Sequence, residues 1–132
     1  MPGEWVLWFD ARCAASRRAL ELLRARGVEP TLRRFLEEPP TEEELAGLVA
    51  KLGVPVRSVL RRDADEYQAL RLSDRTPDDE LLRAVAQHPR ILERPILAGP
   101  REAVVARPPE RVLELVGASA PETRRRVVDN PG

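Results

Sequence analysis

One junction constrains the fold of this 132-residue chain above all others: Trp5-Val6-Leu7-Trp8-Phe9 runs through Asp10-Ala11-Arg12-Cys13 into a 3.6-period segment from Ala14 to Arg26. Aromatic and β-branched residues without helical spacing predict a buried strand over 5–9. In the helix that follows, Ala15, Ala19, Leu22 and Leu23 share one face, while Arg17, Arg18, Arg24 and Arg26 fall mostly off it. Gly27 supplies the stop. Cys13, the only cysteine, therefore falls at a strand-to-helix turn. There the backbone N–H groups are unpaired and the helix dipole is positive. Both features favour the thiolate, which is the nucleophilic form. A lone cysteine also serves as a small buried hydrophobe, so position alone does not decide between the two roles.

The remaining pattern divides into helical and extended blocks. Thr31 to Leu36 reads as a second strand, its alternation broken by adjacent Arg33 and Arg34, and strand–helix–strand implies a parallel βαβ unit. Glu37-Glu38-Pro39-Pro40 is a break. Thr41 followed by Glu44 is a capping-box signature, and Leu45, Leu48, Val49 and Leu52 continue at helical spacing to Gly53 and Pro55. From Val56 to Leu72 the pattern is mostly helical, with Val59, Leu60, Tyr67, Leu70 and Leu72 expected to be buried. Thr76 as cap and Pro77 at the first helical position open a further helix with Leu81, Leu82, Val85 and Ala86 inward. Positions 41–90 thus form a helical insertion. Pro95–Ala98 and Ala103–Ala106 flank the turn Gly99-Pro100-Arg101-Glu102 and predict an antiparallel hairpin. A last helix is expected over Glu110–Val116, closed by Gly117. The expectation is one domain over 1–117 and a weakly ordered, arginine-containing tail over 118–132.

Composition excludes several classes. Formal net charge is zero, which argues against a general nucleic-acid or membrane surface. One cysteine forms no internal disulfide, and one cysteine with one histidine, His88, builds no zinc site. His88 precedes Pro89 and reads as helix-terminal. No apolar run approaches the roughly 20 residues of a membrane span, and the N-terminus carries no secretory pattern. A soluble cytoplasmic protein is the expectation. Of the 22 basic residues all but Lys51 are arginine, so any single arginine is more often a solvated surface group than a ligand.

The element order β-α-β, helical insertion, β-β-α is that of an α/β thioredoxin-like core, with Cys13 where that fold places its reactive cysteine. The motif is Cys-x-x-Ser, and the Ser16 hydroxyl can either hydrogen-bond the thiolate or cap the helix start. Several segments together resemble the glutaredoxin-dependent arsenate reductases. They are Arg12-Cys13-Ala14-Ala15-Ser16-Arg17, Glu29-Pro30, Pro39-Pro40-Thr41-x-x-Glu44-Leu45, Val59-Leu60-Arg61, Tyr67, His88-Pro89, Glu93-Arg94-Pro95-Ile96 and Arg107-Pro108-Pro109-Glu110. The resemblance spans about positions 5–116.

The resemblance implies a catalytic set of Cys13, Arg61, Arg94 and Arg107, with a cis Arg94–Pro95 peptide facing the cysteine. Arg61 is the least secure of these because Arg62 adjoins it. Arsenate is a tetrahedral oxyanion, and guanidinium groups bind such oxygens through paired hydrogen bonds while lowering a neighbouring thiol's pKa. The implied reaction reduces arsenate to arsenite through a covalent Cys13 adduct. With no second cysteine in the chain, the next thiol comes from outside. The family uses glutathione as co-substrate and glutaredoxin as partner, with no bound cofactor.

The approach to the cysteine departs from the family's Tyr-His-Asn-Pro-x-Cys: here it reads Trp8-Phe9-Asp10-Ala11-Arg12-Cys13. Phe9 cannot titrate, Ala11 loosens the turn, and a carboxylate at Asp10 opposes both thiolate and incoming oxyanion. Arg12 can offset Asp10, and Asp10 can also cap the helix. Two alternatives follow. One is a non-enzymatic interaction protein like the Spx-type regulators, whose Cys-x-x-Cys switch Ser16 removes here. The other is a thiol oxidoreductase whose arginines read a different anion.

Overall fold

A computed structural model describes residues 4–119. The tail expected from Ala118 onward lies outside them, apart from the backbone of its first two residues.

The chain forms strands β1 (Val6–Trp8), β2 (Thr31–Arg33), β3 (Ile96–Ala98) and β4 (Ala103–Val105), ordered β2-β1-β3-β4 in one sheet. β1 pairs parallel with β2, in the register Leu7 to Leu32, and antiparallel with β3, in the register Leu7 to Leu97. β3 and β4 form the expected antiparallel hairpin. The helices are α1 (Ala14–Ala25), α2 (Glu42–Leu52), α3 (Asp65–Ala69), α4 (Asp78–Gln87) and α5 (Leu113–Ser119). This is the thioredoxin-like α/β order with α2, α3 and α4 inserted between β2 and β3.

β1, β3 and β4 read as near-continuous apolar runs because both sheet faces are covered there, whereas the edge strand β2, Thr-Leu-Arg, is only partly buried. Trp8 and Ile96 pack with Phe35, Leu45, Leu81 and Ile91 on the side of the insertion. Leu7 and Leu97 pack with Leu23, Val104, Val112 and Val116 on the side of α1 and α5. The adjacent arginines at the end of β2 serve opposite faces, Arg33 as its last residue and Arg34 just beyond it. Arg33 lies over the Trp8 ring at 5.3 Å and pairs with Glu44 at 2.6 Å, while Arg34 lies over Phe9 at 5.4 Å. The strand ends at Arg33 rather than Leu36, since Phe35 turns into the core beside Trp8.

The capping box at Thr41 forms in full, with Glu44 closing it reciprocally. Other expectations are corrected. Much of Val56–Leu72 is not helix: a 3-10 turn at Val56–Val59 leads to an isolated antiparallel bridge between Leu60 and Leu92, and only Asp65–Ala69 is α-helical. Leu70 faces solvent. Pro77, not Thr76, is the N-cap of α4, because the Thr76 hydroxyl is taken by the Ser73 amide at 2.9 Å. The last helix begins with a 3-10 turn at Pro109–Val112 and runs through Gly117. In α1 the buried face holds Ser16, Ala19, Leu20 and Leu23, so it is rotated from the expected one and carries a serine into the interior.

Candidate active site

Cys13 is the N-cap of α1, with extended backbone (φ −95°, ψ 121°) and no side-chain cap bond. Its amide donates to the Asp10 carbonyl at 2.9 Å, and its own carbonyl accepts from the Arg17 amide at 3.1 Å. These bonds fix the turn even without a proline at Ala11. The sulfur is partly buried. Burial pushes the thiol pKa up, but the Ser16 amide, the Ser16 hydroxyl, the Ala15 amide and the Arg107 guanidinium together outweigh it. The thiol is therefore held below its ordinary value. This is the helix N-terminus acting through particular donors.

Ser16 is fully buried, which explains how its hydroxyl reaches two neighbours at once. Its oxygen accepts from the Asp10 amide at 3.3 Å, and its hydroxyl lies near enough to the Cys13 sulfur to lower the thiol pKa. Arg12 is exposed on the far side of the turn, where its amide donates to Asp10 Oδ1 at 3.0 Å. The cation that reaches the sulfur is Arg107, whose Nη1 lies 4.0 Å from Cys13 Sγ.

The arginines converge through backbone carbonyls. Arg107 Nη1 also donates to the Arg94 carbonyl at 2.7 Å, and its Nε lies 3.9 Å from Glu93 Oε1. Arg94 is the one buried arginine among the described residues. Its Nε and Nη2 donate to the Leu92 carbonyl at 3.1 and 2.8 Å, Nη2 donates also to the Arg90 carbonyl at 2.6 Å, and its guanidinium lies over Phe35. Arg61 Nη1 reaches the same Arg90 carbonyl at 3.4 Å. The Leu60–Leu92 bridge makes this possible, since the Arg61 amide donates to the Ile91 carbonyl beside it at 2.6 Å. Arg62 instead points away to Asp74 at 3.5 Å. Burial first, and the charge of Arg61 second, hold the Arg94 pKa below its ordinary value, while Asp10, Cys13 and Glu93 oppose them. Arg61, Arg94, Asp10 and Cys13 thus share one electrostatic neighbourhood.

The Arg94–Pro95 peptide is cis, as the sequence leads one to expect, and so is Arg107–Pro108. Sequence reasoning missed the second bond. It also missed the pairing of Asp10 with Arg94, whose Oδ2 and Nη1 lie 3.6 Å apart. No local signal reports a contact between residues so distant in sequence.

His88 ends α4 and does not join the cluster. It borders a cavity of about 410 Å³ that also includes Arg12, Glu66 and Arg90. A cavity of about 530 Å³ between β2 and α2 lies on the insertion side of the sheet and takes no residue from the cysteine turn. Among the described residues no group of three or more His, Cys, Asp or Glu gathers to hold a metal ion, and no helix is long and apolar enough to cross a membrane.

Fold and site together define a thioredoxin-like protein with a thiol at the N-cap of its first helix and the Arg107 guanidinium 4.0 Å from the sulfur. Comparison with known proteins makes the class specific. The ArsC family model matches residues 9–115, and the chain belongs to the ArsC family. It is 39% identical to an arsenate reductase of Escherichia coli strain K12, over 96% of this chain and 94% of that protein. It is 38% identical to YfgD, an uncharacterised protein of the same strain, over 89% of this chain and all of that one. Among solved structures, an arsenate reductase from Vibrio cholerae superposes with a TM-score of 0.83 at 37% identity, covering 87% of this chain and 99% of that one.

Proposed function

We propose that this protein is an arsenate reductase in which Cys13 is the nucleophile and Arg61, Arg94 and Arg107 hold the oxyanion. The observation that carries the reading is a thiol held below its ordinary pKa with the Arg107 guanidinium 4.0 Å from its sulfur, while Arg94 and Arg61 gather on the Arg90 carbonyl nearby. Cationic forks bind tetrahedral oxyanions and stay charged at any working pH. Arg107 also favours the thiolate, so that one group serves both anion binding and nucleophile activation.

The Cys13 thiolate attacks arsenic, forming an S–As bond as one arsenate oxygen leaves as water. A first external thiol then forms an S–S bond with Cys13. The S–As electron pair passes to arsenic, which is reduced from As(V) to As(III) and departs as arsenite. A second external thiol attacks this mixed disulfide and regenerates Cys13. Two thiols are oxidised to one disulfide for each arsenate reduced. Ser16 occupies the position a resolving cysteine would take, so the chain supplies only the first sulfur.

Glutathione is the first external thiol in this reading and glutaredoxin the second, as in the family the sequence resembles. Arg107 is exposed and lies beside the Cys13 sulfur, which supports a role for it in meeting a carboxylate of the incoming thiol. The need for a reduced, unpaired cysteine places the protein in a reducing compartment, the cytoplasm.

The test is arsenate-dependent NADPH oxidation in the presence of glutathione, glutathione reductase and glutaredoxin. Turnover is expected for the wild type and lost in Cys13→Ser, with the Cys13–glutathione disulfide trapped and identified by mass when glutaredoxin is omitted. Arsenate-independent oxidation, or turnover surviving Cys13→Ser, overturns the reading.

A further inference from the structure

Arg94, the buried arginine of the proposed anion site, already faces a carboxylate, Asp10. Asp10 sits at the end of β1, three residues before the nucleophile, with its side chain largely buried. Its backbone is locked by the Cys13 amide on its carbonyl and by its own amide on Ser16. Oδ1 accepts from the Arg12 amide at 3.0 Å, and Oδ2 faces Arg94 Nη1 at 3.6 Å. This carboxylate is not free to swing out of the site.

Arg94 has little choice either. Its Nε and Nη2 are held by the Leu92 and Arg90 carbonyls, so Nη1 is the arm turned toward Asp10 and the cysteine side. The 3.6 Å gap between Nη1 and Oδ2 is too long for a good hydrogen bond and is an ion pair only. An oxyanion that uses Nη1 must therefore set one of its oxygens beside Oδ2.

The chemistry of that oxygen decides whether it is tolerated. A bare anionic oxygen beside a carboxylate meets like charge and offers no proton. A protonated oxygen donates a hydrogen bond to Oδ2 and turns the same contact favourable. From this geometry we infer that Asp10 is a specificity-determining residue that selects protonated tetrahedral oxyanions and rejects fully deprotonated ones. Arsenate and phosphate carry at least one hydroxyl near neutral pH, while sulfate carries none. Asp10 thus separates arsenate from sulfate, not arsenate from phosphate, and sulfate is the more useful anion to exclude from a site made of arginines.

This inference rests on the anion site proposed above, and its test keeps the two apart. The rate of Cys13 alkylation by iodoacetamide is measured at neutral pH against increasing arsenate, phosphate and sulfate. The proteins are wild type, Asp10→Asn and Asp10→Ala. An amide at position 10 donates as well as accepts, so it accommodates a bare oxygen. In the wild type, arsenate and phosphate are expected to protect Cys13 and sulfate to protect at least about tenfold more weakly. In Asp10→Asn the sulfate constant is expected to tighten by about tenfold while the phosphate constant moves less than about threefold. Asp10→Ala, which removes the carboxylate together with its bond to the Arg12 amide, is expected to tighten sulfate in the same direction. Equal protection by sulfate and phosphate in the wild type overturns the selectivity and leaves the anion site standing. So does a sulfate-to-phosphate ratio unchanged in both variants. No protection by any anion in any of the proteins removes the anion site itself, and the selectivity with it.

Discussion

Arg61 and Arg94 donate to the same acceptor, the carbonyl of Arg90, at 3.4 and 2.6 Å. Two like charges are thus brought together on one backbone oxygen, and the burial of Arg94 makes that proximity more costly than it is at a surface. Binding an anion between them relieves the repulsion. Asp10, 3.6 Å from Arg94, offsets part of that charge, and a bound anion would offset more.

The first prediction concerns Arg94. Arg94→Ala leaves the Leu92 carbonyl without its donor, the Arg90 carbonyl with only the longer Arg61 bond, and Asp10 without its counter-charge. Removing one partner from a buried ionic network is severe, so the variant is expected to lose about 3 kcal/mol of stability. Arg94→Lys keeps the charge but not the planar fork and is expected to lose about 1–2 kcal/mol. Urea denaturation checks both. If Arg94→Ala unfolds at the wild-type midpoint, the network is not structural.

A second prediction separates the donors around the sulfur. Ser16→Ala removes a hydroxyl that acts on Cys13 more strongly than Arg107 does. Both Ser16→Ala and Arg107→Ala are expected to move the midpoint of the Cys13 alkylation pH profile upward, Ser16→Ala further. Ser16→Ala is also expected to cost about 1 kcal/mol of stability, because it strips the Asp10 amide of its acceptor. Arg107, on the surface, should cost little. A larger upward movement in Arg107→Ala would reverse the assignment.

Much of this was legible in the sequence, and the misses share a physical cause. The strand–turn–helix junction places Cys13 at the helix start because local patterning alone determines it. Pro95 and the capping box at Thr41 are equally local. What local reasoning cannot supply is the pairing of distant segments. The Leu60–Leu92 bridge, which points Arg61 toward the site and leaves Arg62 outside, joins segments about thirty residues apart and breaks the helix expected there. The Asp10–Arg94 pair spans most of the chain. Asp10 reads from sequence as a charge opposing the thiolate. In the folded protein it is matched to a particular guanidinium arm, a role that only tertiary structure reveals. The rotation that buries Ser16 was missed for a different reason. A serine on an apolar face goes unexpected until the Asp10 amide and the Cys13 sulfur are seen to satisfy it.

The adjacent arginines 61 and 62 give a third prediction. Arg62 forms an exposed pair with Asp74, and Arg62→Ala is expected to change stability by less than about 0.5 kcal/mol and leave KM for arsenate unaltered. Arg61→Ala is expected to raise KM about tenfold or more, since it removes one charged donor from the anion. Steady-state kinetics on the two variants decides the matter, and an effect confined to Arg62 would move the site.

The last prediction links the thiol to stability. Cys13 has a folded-state pKa below that of the unfolded chain. Between the two values the unfolded state binds more protons than the native state, so stability rises with pH through that interval. The contribution is complete above the unfolded thiol value, about 8.5, and is lost as pH falls through the folded one. Cys13→Ser has no such titration. The stability of the wild type relative to Cys13→Ser is therefore expected to increase with pH between the folded and unfolded thiol values and to level off above the unfolded one, about 8.5. Ser16→Ala should flatten that rise, because it brings the folded and unfolded values closer together. Denaturant midpoints for the three proteins across that range provide the check. A wild-type advantage that instead shrinks with rising pH would mean burial, not the donors at the helix start, dominates the sulfur.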